Sequence, residues 1–163
     1  MRINSSLHLV KNLFDEDIEK AKTRDGYGKG LVELGEKDEN VVVLCADLSE
    51  STRSHWFAEK FPKRFVQMGV AEQNMATVAS GIAATGKTVF ISSYAVFSPG
   101  RNNEQIRTTI SYNSWGAKPG KEISVKIAGA HAGISVGPDG ATHQALEDVA
   151  LMRAQPGMVV VVP

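Results

Sequence analysis

Five short runs rich in β-branched residues recur along the chain, with helix-like stretches between them: VVVLC at 41–45, RFVQM at 64–68, TVFIS at 88–92, ISVKIA at 123–128 and MVVVV at 158–162. Near-continuous apolar runs of this length read as strands buried on both faces, and strands separated by helical patterns need crossover connections rather than hairpins. Val70, Met75, Val78, Ala79, Ile82 and Ala83 recur near helical spacing. Leu146, Val149, Ala150 and Arg153 do the same, with the apolar members expected on one side. The expected class is α/β, a doubly wound, mostly parallel sheet with helices on both faces.

Length agrees with one domain. A chain of 163 residues buries roughly 70% of its unfolded surface without staples. Eighteen basic and eighteen acidic side chains cancel, so no excess charge points to nucleic acid or an anionic membrane. The apolar runs Val41 to Ala46 and Met158 to Val162 fall far short of the roughly 20 residues a bilayer span requires. The mixed charges of the N-terminus do not read as a signal peptide, which makes a soluble, cytoplasmic chain the expectation. Cys45, the single cysteine, excludes an intramolecular disulfide and reads as a packed strand residue.

Doubly wound sheets bind ligands beyond the carboxyl ends of their strands. Asp47, Glu72, Phe97 and the glycine-rich stretch GAHAGISVGPDGATH from Gly129 to His143 each follow one of the expected strands. A glycine-studded loop this long inside one domain is either functional or a mobile connection. Gly129, Gly133, Gly137 and Gly140 would let it bend around a ligand, with His131, Asp139 and His143 supplying the chemistry. The spacings of eight and four between those three match no zinc pattern, so no metal site is assigned. No serine is assigned to a nucleophile elbow between a strand and a helix, and GYGKG at 26–30 lacks both the third glycine and the preceding strand of a dinucleotide fingerprint.

Glu72 opens the helix of MGVAEQNMA. An acid there commonly serves the helix dipole, but small neighbours at Ala71, Ala76 and Ala79 would hold it near a packed surface, where it can exchange a proton with a ring nitrogen. Tyr94 and Phe97 follow TVFIS one turn apart, and either can be a core residue or stack on an aromatic ligand. Arg24, Ser51 and His131 carry donors suited to phosphate oxygens, though each alone is ordinarily a surface group.

Taken together, TRDGYGKGLVEL from Thr23, ADLSEST from Ala46, GVAEQNM from Gly69, FISSYAVFSPGR from Phe90 and HAGISVGPDGATHQALEDVALMR from His131 resemble the pyrimidine-binding domain of transketolases, in order and in spacing. GVAEQ alone is shared by several thiamine diphosphate enzymes; the histidine and aspartate loop makes the resemblance specific. It implies the thiamine diphosphate-binding fold. It also implies that Glu72 is the glutamate that hydrogen-bonds the cofactor's aminopyrimidine and promotes loss of a proton from its thiazolium carbon. Phe97 resembles the aromatic residue stacked on the pyrimidine, with Tyr94 beside it, and Asp47 a cofactor-side aspartate near the subunit interface. His143, paired with Glu72 as catalytic, and Asp139 match contacts to the hydroxyls of a donor ketose. His131, Arg24 and Ser51 match positions near the sugar's phosphate.

The implied reaction transfers a two-carbon ketol unit from a ketose phosphate to an aldose phosphate. Thiamine diphosphate would supply the chemistry, with its diphosphate and magnesium held by a GDG-type motif on a partner chain, the N-terminal transketolase half. That motif is absent here, so residues 1–163 read as a single pyrimidine-binding domain of a split enzyme's C-terminal section, without the preceding diphosphate-binding or following C-terminal domain. Such a chain would be inactive alone and work as a homo- or hetero-oligomer. One departure concerns SPGRNNEQ, where many transketolases have a longer aromatic stretch, so substrate contacts do not carry over to Arg101 and its neighbours. The nearest alternatives are 1-deoxyxylulose 5-phosphate synthase and the beta subunit of a 2-oxo acid dehydrogenase. A non-catalytic interaction module is the alternative of another class.

Overall fold

Four of the five expected runs form strands in the computed structural model, which describes residues 14–115, 117 and 123–163. They are β1 (Val41–Cys45), β2 (Phe65–Gln67), β3 (Thr88–Tyr94) and β4 (Val125–Ala130). All neighbours are parallel, in the order β2-β1-β3-β4. The chain leaves β1 outward to β2, returns past β1 to β3 and continues to β4. The order therefore reverses between β1 and β3, and such a reversal opens a crevice at the carboxyl edge.

The helices in chain order are α1 (Thr23–Lys37), α2 (Ser49–Thr52), α3 (His55–Lys60), α4 (Glu72–Ala84), α5 (Asn103–Gln105), α6 (Tyr112–Ser114) and α7 (Asp148–Arg153), with a π-helical segment Ile106–Ser111 joining α5 to α6. Period-two alternation of the strands assigns them to two faces. Val41 and Val43 point to one side, where they pack with Leu31 of α1 and Phe57 of α3. Leu44, Val89 and Ile91 point to the other, against Met75, Ala79 and Ala83 of α4. The π segment extends that second layer, Ile106 and Ile110 meeting Ala76. β1 is thus covered on both faces, which is why its sequence is apolar throughout.

Helix α1 was not legible as a helix, because four glycines interrupt it. Two of those glycines have a packing reason. A Cβ on Gly28 would lie 2.5 Å from Trp56 and one on Gly35 2.6 Å from Phe61, so the absence of side chains lets α3 approach. Arg64 completes this side, its guanidinium 4.1 Å above the ring of Phe61 while it donates to the carbonyls of Gly35 and Asp38.

Three sequence expectations are corrected. MVVVV at 158–162 forms no strand: Met158 and Val160 rest against the third core cluster, while Val159, Val161 and Val162 are exposed. Period-two burial is present there, but no ladder forms beside it. β2 is a short edge strand rather than a buried one, with Val66 exposed, since only β1 flanks it. In α7 the inward residue is Met152, not Leu146, Val149 or Ala150; the helix begins at Asp148, so Leu146 precedes it and lies exposed. No described helix is long and apolar enough to cross a membrane.

Candidate functional site

Glu72 is the first residue of α4, reached from β2 through a turn at Gly69 with φ +68°. Met75, Ala76 and Ala79 bind the following turns of α4 to the core, and Glu72 lies one helical turn before Met75 and Ala76 on that same face. It is only 2% exposed. Its Oε2 accepts a hydrogen bond from Nη1 of Arg101 at 2.9 Å. An acid serving only the dipole would sit in solvent; this one is buried and paired with a half-exposed arginine.

Beyond β3 the backbone curls through one turn, the amides of Phe97 and Ser98 both donating to the carbonyl of Tyr94. Ser98–Pro99 is a cis peptide. Gly100 is required next, because a Cβ there would fall 2.0 Å from the carbonyl oxygen of Val96. Asn102 then anchors the turn: it is fully buried, and its Nδ2 donates to the backbone carbonyl of Glu72 and to Ser98 Oγ, both at 3.1 Å. Its neighbour Arg101 lies at the mouth, with its guanidinium 4.6 Å above the Phe97 ring.

The stretch after β4 supplies the imidazoles. His131 takes the left-handed conformation, φ +56°, and its ring stacks on Tyr94 with centroids 4.3 Å apart. His143 closes the 3-10 turn Gly140–His143 and presents its edge to Phe97 at 5.3 Å and to Tyr94 at 6.1 Å. Its Nδ1 is 2.9 Å from Thr142 Oγ1. Gln144 shapes the loop by donating to the carbonyls of Ile134 and Val136. Positive φ at Gly133 and Gly140 provides the bends expected from the glycine spacing, though the loop itself starts at His131, since β4 runs through Ala130.

Burial lowers the pKa of His131 below 6.5, the positive charge of Arg24 adds to that, and Asp139 partly opposes it. Arg24 donates to the backbone carbonyl of Ser51 at 3.4 Å, so the arginine and the α2 backbone lie together. Beside them Asp25 pairs with Arg53 at 2.7 Å, and that pairing lowers the Asp25 pKa. Burial raises the Cys45 thiol instead, consistent with a packed residue.

Tyr94, Phe97, His131 and His143 therefore form one aromatic cluster, with Glu72 connected to it through Arg101. Asp139 is exposed at the N-cap of the 3-10 turn. Asp47 stands on the same sheet edge, exposed and at φ +57°, its amide bonded to Gln67 Oε1; among the described residues no side-chain hydrogen bond or ion pair joins it to the cluster. Arg101 and Asn102 are the residues sequence reading did not assign. Their signal was the break at Pro99 and Gly100, which turns the chain back toward Glu72. Among the described residues no group of three His, Cys, Asp or Glu side chains is arranged to hold a metal ion.

Comparison with known proteins gives a consistent result. Residues 19–163 match the family model described as transketolase, pyrimidine binding domain. A chain named as a transketolase C-terminal section from Methanocaldococcus jannaschii is 54% identical over 140 residues, which cover 86% of this chain and 42% of that one. A 6-deoxy-6-sulfo-D-fructose transketolase subunit of a Clostridium species is 36% identical, over 92% of this chain and 44% of the subunit. Among solved structures, one described as a split gene transketolase in an inactive beta4 tetramer superposes with a TM-score of 0.66 at 50% identity, covering 82% of this chain and 40% of that one. The chain thus spans less than half the length of these relatives.

Proposed function

The chain belongs to the family of transketolase pyrimidine-binding domains, and from that premise we propose that it is the pyrimidine-side half of a split transketolase. Assembled with a diphosphate-binding half, it transfers a two-carbon ketol unit from a ketose phosphate to an aldose phosphate. The observation that carries this is a buried carboxylate and an aromatic face converging on one planar group: Glu72 Oε2 lies 2.9 Å from the Arg101 guanidinium, which stands 4.6 Å above the Phe97 ring. A flat, nitrogen-bearing ring fits that space. The family reading names this ring as the aminopyrimidine of thiamine diphosphate, whose diphosphate and magnesium belong to the partner half.

When bound, the cofactor supplies a carbon nucleophile able to hold the transferred unit. The residues of this chain orient and assist it. Phe97, backed by Tyr94, stacks on the pyrimidine. Glu72, shielded from water, holds a proton at the ring nitrogen. Asp47 lies on the cofactor side of the crevice. His143 and Asp139 face the ketose hydroxyls, and His143 assists proton movement there. His131, Arg24 and the α2 backbone around Ser51 lie farther along the crevice, where donors meet the sugar's phosphate.

A second half is supported by the rim. Val70 precedes Glu72, Ile134 lies within the histidine loop and Leu146 follows it, and each is more than 70% exposed. Apolar side chains beside a polar crevice suit a protein partner better than water. In this reading the described chain is one domain of an oligomeric cytoplasmic enzyme, inactive until its partner closes the site.

The test is reconstitution. The chain mixed with a diphosphate-binding half, magnesium and thiamine diphosphate should transfer ketol units between pentose phosphates, while either half alone should not. Condensation of pyruvate with glyceraldehyde 3-phosphate in the same mixture would instead identify a 1-deoxyxylulose 5-phosphate synthase. Ketol transfer that survives Glu72→Ala would remove Glu72 from its assigned role.

A further inference from the structure

Arg101 stands outside the proposed chemistry, yet it makes both contacts that the pyrimidine would make. Its Nη1 donates to Glu72 Oε2 at 2.9 Å, and its guanidinium carbon lies over the Phe97 ring, 4.6 Å from the centroid. A guanidinium is flat, carries N–H groups at its edge and stacks on aromatic faces, so it resembles the edge and face of an aminopyrimidine. On the Phe97 face the two compete for one place. At the carboxyl group their demands differ as well: a guanidinium has donors only and uses Oε2 as an acceptor, whereas a ring nitrogen with a free lone pair needs that group to offer it a proton.

We infer that Arg101 is a displaceable plug: in the free chain it fills the pyrimidine seat between Glu72 and Phe97, and it must swing out before the cofactor enters. This rests on the cofactor reading above and adds a gate to it. Geometry favours motion of the side chain rather than of the backbone. The Arg101 amide bonds to the Phe97 carbonyl at 3.0 Å, and the next residue, Asn102, is fully buried and bonded to Glu72 and Ser98. The Arg101 side chain is 47% exposed whereas that of Glu72 is 3% exposed, so one partner is free to leave toward solvent and the other is fixed. Among the described residues Glu72 is the only acidic side chain paired with Arg101.

The plug also gives the free half a reason to keep a buried carboxylate without its cofactor. An unpaired acid at this depth would destabilise the chain, and the arginine supplies a counter-charge until a ligand replaces it. Assembly and cofactor entry are then coupled, because the same carboxylate is exchanged from one planar partner to another.

The test measures binding rather than turnover. Wild type, Arg101→Gln and Arg101→Lys are each assembled with the diphosphate-binding half and titrated with thiamine diphosphate and magnesium by calorimetry, with association followed by intrinsic fluorescence. Removing a half-exposed ion pair and one cation–π contact that compete with the ligand should tighten binding by about three- to thirtyfold in Arg101→Gln and speed association. Arg101→Lys keeps a charge for Glu72 without the flat face, and should fall between the two. Equal or weaker binding by Arg101→Gln, with wild type binding normally, overturns the plug and makes Arg101 a holder or a bystander. Should the glutamine variant misfold, equal or weaker binding by Arg101→Lys overturns it in the same way. Failure of the wild-type assembly to bind thiamine diphosphate overturns the cofactor reading and the plug together.

Discussion

The imidazole of His131 lies nearly flat on the ring of Tyr94, the planes 18° apart and the centroids 4.3 Å apart, and a left-handed backbone at φ +56° holds it there. Stacking on a buried ring withdraws the imidazole from water, and Arg24 adds a repulsive charge, so the folded chain disfavours the imidazolium.

A pH dependence of stability follows from that placement. The pKa of His131 is lowered in the fold, so as pH falls through the window below 6.5 the unfolded chain takes up its proton first. Its contribution is complete above that window and is lost as pH drops through it. His131→Asn tolerates the left-handed backbone but does not titrate. Its melting temperature should therefore fall less than that of wild type between about pH 7.5 and about pH 5. Parallel declines in the two proteins would contradict the assignment.

Glu72→Gln keeps the size of the side chain but cannot hold the transferable proton. In the reconstituted enzyme kcat should drop by about 10² to 10⁴, and steady-state ketol transfer measures it. Because the ion pair with Arg101 is also lost, cofactor affinity should change far less than turnover.

Phe97→Leu replaces a stacking face with an aliphatic one of similar bulk. The loss of about 0.5 to 1.5 kcal/mol expected of an aromatic pair corresponds to roughly two- to thirteenfold weaker cofactor binding. Calorimetric titration of the assembled variant reads it directly. Unchanged affinity would mean that the ring packs only within its own chain, against Tyr94, His143 and Arg101.

The turn that carries these groups depends on Asn102. Asn102→Ala deletes two buried hydrogen bonds that tie the start of α4 to Ser98, at a cost of about 1 to 2 kcal/mol. Urea denaturation of the chain should show that loss. Cofactor affinity should fall with it, because Glu72 is no longer held against the turn.

Helix α1 offers a paired test. Gly30→Ala meets nothing within 4 Å and should stabilise the chain by about 0.5 to 1 kcal/mol through helix propensity alone. Gly28→Ala gains the same propensity but drives a methyl into Trp56 and the Arg53 backbone, an overpacking cost of about 1 to 3 kcal/mol. Opposite signs in thermal melts would separate packing from propensity at positions two residues apart.

Those glycines also show why parts of the fold escaped sequence reading. VVVLC was legible because β1 is covered on both faces and needs apolar residues throughout. MVVVV carries the same composition, but composition does not say whether a neighbouring strand lies beside it. GYGKG is set aside as an incomplete dinucleotide fingerprint and given no element, since a glycine's advantage in α1 arises only when Trp56 and Phe61 arrive from distant sequence. At the candidate site, the placement of Glu72, Phe97 and His131 beyond the strands was legible from their positions in the sequence. Arg101 was not, because its meaning lies in a contact across 29 residues rather than in any local pattern.

Every strand pairing in this sheet joins residues separated by an intervening helical segment. The shortest, Val43 with Phe65, spans 22 positions, and Val41 with Thr88 spans 47. No local hairpin is available to nucleate the sheet, so loop closure must precede most of the stabilising contacts, and slow folding is the consequence. While β1 waits for β3, its apolar edge is open to other chains. Newly made protein should therefore be most prone to aggregate before the crevice exists, and a pulse of hydrogen exchange during refolding should find Val41 to Cys45 protected only once Thr88 to Tyr94 is protected too.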